Sequence, residues 1–135
     1  MAYLTDYKLK IHRVDEKVIR NSKIYTEKHG IDMEYEDIED LFDAICDTFN
    51  AFVMKNEKML DALGTSFGEY VGPSTWYNHE DDMIEISKQF PGVVFKLEGD
   101  GEDSGDIWKQ YFKEGTSQIC HSNITFNDYD PTKLK

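Results

Sequence analysis

A chain of 135 residues has the size of one domain and can bury enough surface to fold without a disulfide or a metal. Aromatic residues make up 13% of it, which excludes intrinsic disorder. The formal charge is −12, from 27 acidic and 15 basic residues, and this argues against direct nucleic-acid binding and against an anionic membrane surface.

Tyr3 to Val14 is expected to form a strand, because Tyr7, Leu9 and Ile11 alternate with Lys8, Lys10 and His12. Residues 15–31 show no clear period. Tyr35 to Met54 is expected to be the principal helix: Ile38, Leu41, Phe42, Ile45, Phe49, Phe52 and Val53 recur at helical spacing and mark its core face. A continuation through Met59, Leu60 and Leu63 ends at Gly64. The glycine-rich segment after it suggests a broken strand, around Glu69–Val71 or Thr75–Tyr77. Asn78 reads as the N-cap of a short helix that carries Met83, Ile86, Ser87 and Phe90 on one face and stops at Pro91-Gly92. Val93–Leu97, Ile107–Lys113 and Ser117–Phe126 read as strands, the last two joined as a hairpin by Glu114-Gly115. A polar tail follows from Asn127.

This order implies an α+β fold: an antiparallel sheet of four to five strands with two to three helices packed on one face. No composition break or repeat divides residues 1–135, so a single domain is expected. Residues 1–64 would supply the first strand and the long helix, 65–126 the rest, and 127–135 the tail. No apolar run approaches the length of a membrane span, and the first residues lack the pattern of a signal peptide. A cytoplasmic protein is expected. Cys46 and Cys120 are read as reduced thiols buried like small apolar residues.

Motifs for chemistry are weak. The run from Glu98 to Asp106 alternates carboxylates like the start of a calcium loop, but the twelfth position after Asp100 is Tyr111, which cannot chelate. The four histidines and two cysteines share no zinc spacing. Ser66 lies in no nucleophile elbow, and the glycines at 99, 101 and 105 are followed by no phosphate-binding lysine. No metal, no cofactor and no enzymatic activity are expected. Trp76, Tyr77, Trp108, Tyr111 and Phe112 are expected in the core or on sheet faces, with Trp76 and Trp108 as alternative interface anchors.

Charge is unevenly placed. Residues 1–31 sum to +3 and residues 32–135 to −15. Carboxylates crowd the first half of the long helix and the loop after residue 97. The stretch from Trp76 to Leu97, with Ser87-x-x-Phe90-Pro91 and Phe95-x-Leu97, followed by Gly99 to Asp103 and Trp108, resembles the YubB-like proteins of phages and plasmids. The resemblance covers about residues 65–126. It implies a ferredoxin-like fold and a mobile-element setting, and it brings no catalytic residues.

The expected function is that of an acidic, non-enzymatic inhibitor, anti-CRISPR or similarly anti-defence, which blocks a basic nucleic-acid-binding protein such as a nuclease or CRISPR effector. The expected contacts are carboxylates that folding does not explain: Glu36, Asp37, Asp40, Asp43 and Asp47 on the helix, and Asp100, Glu102, Asp103 and Asp106 in the loop. An immunity protein against a basic toxin, or an acidic domain whose charge only keeps it in solution, are the alternatives. The sequence leaves the oligomeric state open.

Overall fold

The alternating N-terminal segment forms β1 (Thr5–Val14) and directs Tyr7 and Leu9 into the core. The computed structural model describes residues 2–15, 18, 38–64 and 68–135, with the backbone alone for 38–41. The aperiodic segment from residue 16 to residue 31, Val18 excepted, the expected helix start at Tyr35, and Ser66 thus lie outside the described residues.

Helix α1 (Ile38–Val53) presents Ile45, Phe49 and Val53 to the core, as its period requires. Phe42, expected on the same buried face, is only half-buried. It lines a cleft of about 300 Å³ with Lys10, Ile11, Cys46 and Gly68. The helix does not run on to Gly64. Its last amides shift to carbonyls three residues back, at Phe52 and Val53, and Asn56 caps a separate helix α2 (Glu57–Leu63) by accepting from the Met59 amide at 3.2 Å. The apolar pattern continues through the break, which hides it in the sequence.

The broken strand is β2 (Pro73–Ser74), which lies between the two expected positions. Helix α3 (His79–Ser87) starts after Asn78, whose backbone carbonyl accepts from Asp82 while its side chain makes no capping bond. Strand β3 (Val93–Gly101) runs four residues further than expected, into the glycine-rich acidic segment. β4 (Ile107–Lys113) has its expected bounds, and β5 (Thr116–His121) stops five residues early. The last link of that hairpin is Ser122 N–H to the Ile107 carbonyl, and Ile107 begins β4, so nothing remains for residues 123–126 to pair with.

The strands form one open antiparallel sheet in the order β2-β1-β3-β4-β5. The helices cover one face of it, an α+β arrangement consistent with a ferredoxin-like fold. Tyr7, Leu9, Phe95, Leu97, Trp108 and Phe112 from the sheet meet Ile45, Phe49, Met59, Leu63 and Met83 from the helices. Phe49 lies 5.3 Å from Phe95, ring to ring, and that contact centres α1 over β3. Trp76 is fully buried and Trp108 nearly so, so both serve the core and neither is an exposed anchor.

Candidate functional site, a sheet face and a rim of opposite charge

A strand residue that points away from the helices points to the opposite face, which no described helix covers, so the register of the sheet decides which side chains meet there. Lys8 pairs with Glu98, and Glu98 with Lys109. In the next row Lys10 pairs with Lys96, and Lys96 with Tyr111. A bulge at His12 shifts the register so that Arg13, not His12, pairs with Val94, and Val94 pairs with Lys113. That face thus gathers Lys8, Lys10, Arg13, Lys96, Lys109 and Lys113.

Glu98 stands at the centre of three of these lysines, with N···O separations of 3.1 Å to Lys8, 3.7 Å to Lys96 and 3.8 Å to Lys109. Burial raises the pKa of its carboxyl. The bond from Lys8 and the charges of Lys8, Lys96 and Lys10 outweigh that and hold it below the usual range. The same partnership raises the Lys8 ammonium. Two aromatic features complete the face. Tyr111 meets the His12 ring edge-on at 5.0 Å, and the Lys8 ammonium lies 4.7 Å above the half-exposed Tyr70 ring.

At the end of the face towards the 102–106 turn, Asp6 pairs with Asp100. Among the described residues, six cations and three carboxylates (Asp6, Glu98, Asp100) of the strands give the face a charge of +3, which leaves −15 for the rest of the sequence.

The expected contact carboxylates are dispersed. Glu36 and Asp37 lie outside the described residues, as does the side chain of Asp40. Asp43 and Asp47 are exposed on α1. Asp100 belongs to a strand, not to the loop. Two of the loop carboxylates have structural work: Glu102 accepts from the Leu4 amide at 2.9 Å, and Asp106 accepts a short bond from the Tyr3 hydroxyl. That bond is the main reason the Tyr3 hydroxyl titrates above its usual range. The Asp103 amide donates to the same tyrosine oxygen at 3.1 Å. The turn therefore clasps the segment that leads into β1, and Asp103 is exposed.

A carboxylate in the first turn of α3 is structural as well. Asp82 accepts from the indole of buried Trp76 at 2.7 Å and from Asn56 at 3.0 Å, tying α3 to the α2 cap. His79 stacks on Trp108 at 4.9 Å and lies 3.0 Å from the Trp76 carbonyl, a position at the core margin. Among the described residues, no group of three or more His, Cys, Asp or Glu is placed to hold a metal ion. No helix among them is long and apolar enough to cross a membrane.

The cationic face is what sequence reasoning missed. Its signal was present: Lys8-x-Lys10 and Lys109-x-Tyr111-x-Lys113 carry period two. It becomes a surface only once the three strands are aligned side by side. No family model, no curated protein and no solved structure matches this chain.

Proposed function

We propose that this protein is a non-enzymatic binding protein that blocks a basic, nucleic-acid-handling protein, as an anti-defence factor of the anti-CRISPR kind would. The observation that carries this reading is the segregation of charge: cations gathered on the sheet face leave the rest of the sequence at −15, more negative than the chain as a whole. Asp43 and Asp47 on α1 and Asp103 beyond β3 are exposed carboxylates away from that face. Carboxylates in such numbers can occupy a phosphate-binding channel, and complementary charge speeds the encounter. The likeness of residues 65–126 to the YubB-like proteins supports a phage or plasmid setting and a cytoplasmic place of action.

The experiment is an inhibition assay against a nuclease encoded by the host. The triple variant Asp43→Lys/Asp47→Lys/Asp103→Lys should lose inhibition while it keeps its fold, and inhibition by the native chain should weaken as salt rises. Inhibition that ignores both salt and charge reversal would refute the electrostatic mechanism.

A further inference from the structure

We infer that the sheet face opposite the described helices binds single-stranded nucleic acid, with phosphates on its cations and bases on Tyr111 and His12. This inference goes beyond the carboxylate-based reading and does not depend on it.

The first support is the reversal of composition. The chain carries 27 acidic and 15 basic residues, yet the described strands place six cations and three carboxylates on this face. A face selected only for solubility would intersperse the signs. Here Lys10 and Lys96 pair directly across the strands with no carboxylate in their row. Like charges directly opposite one another are destabilising, and a polyanion laid over the row relieves that repulsion.

The second support is what Glu98 does. One carboxylate shared by Lys8, Lys96 and Lys109 cannot neutralise them, but it aligns their long side chains across three strands. Fewer rotamers are then left to freeze when a ligand arrives.

The third support separates a polynucleotide from other polyanions. Tyr111 lies between Lys109 and Lys113 along β4 and beside Lys96 across the sheet. Its edge contact with His12 holds a pair of rings among the cations. Aromatic rings within a positive surface are the arrangement on which unpaired bases stack, and that stacking tolerates any sequence. A duplex keeps its bases inside and an acidic peptide has none. The Asp6–Asp100 pair repels phosphates at one end of the face. The strand therefore crosses β1, β3 and β4 at the other end, over Lys10, Lys96 and Tyr111 and between Arg13 and Lys113. That span is roughly 10 Å from strand β1 to strand β4, at about 4.8 Å per step, and it suits contacts to about three phosphates.

The test is fluorescence anisotropy of a labelled oligothymidylate with the full chain. Binding should appear at about micromolar to submillimolar protein, and affinity should fall roughly twentyfold between about 50 mM and about 200 mM salt. The variant Arg13→Glu/Lys109→Glu/Lys113→Glu should lose at least about tenfold in affinity, and Tyr111→Ala, which changes no charge, about tenfold. Lys55→Glu, in the turn between α1 and α2, should change nothing. Unchanged circular dichroism establishes that each variant is folded. Absence of binding at about 1 mM protein would overturn the inference, as would a folded triple variant with native affinity. Polyglutamate competing as well as the oligonucleotide, together with no effect of Tyr111→Ala, would assign the face to an acidic peptide instead.

Discussion

The indole of Trp108 lies in the space that a side chain on Gly99 would occupy. The two residues face each other across β3 and β4, and a β-carbon built on Gly99 would run into the six-membered ring and the indole nitrogen. The ring in turn stacks on His79 and packs edge-on against Tyr7 at 6.1 Å. A glycine in a strand interior is accounted for here by the close approach of a large neighbour.

Gly99→Ala should therefore destabilise the protein by about 1–3 kcal/mol through overpacking. Trp108→Leu, which vacates that space, should recover part of the loss in the double variant, so that the two effects are not additive. Urea denaturation of the two single variants and the double variant measures the coupling. Strict additivity would show that the two positions do not compete for space.

The two phenylalanines of α1 should differ. Phe49 is 1% exposed and touches the rings of Phe90 and Phe95, so Phe49→Ala should cost about 3–5 kcal/mol. Phe42 borders an open cleft, and Phe42→Ala should cost clearly less. Equal losses in chemical denaturation would mean that Phe42 contributes as a full core residue.

Glu98 should give stability a pH dependence. Its folded-state pKa is lowered below the ordinary glutamate value of about 4.5, so its contribution is complete above the unfolded-state value and vanishes as pH falls through the folded-state one. The melting temperature should decline as pH drops below about 4.5. Glu98→Gln should be less stable than the native chain at about pH 7, and the gap should narrow as pH falls towards about 3. A gap of the same size at both pH values would contradict the ion-pair account.

The two thiols should react at different rates. Burial, together with the charges of Asp43 and Asp47, pushes the Cys46 thiol up to about 11, whereas Cys120 is exposed. The thiolate is the nucleophile, so iodoacetamide at about pH 8 should modify Cys120 first and Cys46 slowly. Mass spectrometry of a time course reads this directly.

Much of the fold was legible because period two and period 3.6 are local signals. β1, β4 and the core face of α1 around Ile45, Phe49 and Val53 follow from spacing alone. β3 was cut short because Glu98 to Gly101 has a loop's composition. Glu98 and Gly99 are explained by partners on the neighbouring strands, Lys8 for Glu98 and Trp108 for Gly99. Cys120 was expected in the core, but β5 is an edge strand with every residue exposed. The carboxylates of the loop looked free for the same reason that β3 looked short. Nothing near Glu102 or Asp106 in the chain announces that Leu4 and Tyr3 complete them. The cationic face needed three strands in register before it existed at all.

The position of Cys120 has a practical side. It pairs with Lys109 across β4 and β5, so its sulfur and the lysines share the face of the sheet opposite the described helices. The chain has two cysteines, and the other is half-buried with a raised pKa. An environment-sensitive dye attached at Cys120 would therefore sit at the margin of the sheet face, on a strand that the core does not depend on. The native sequence carries its own attachment point for watching that face fill and empty.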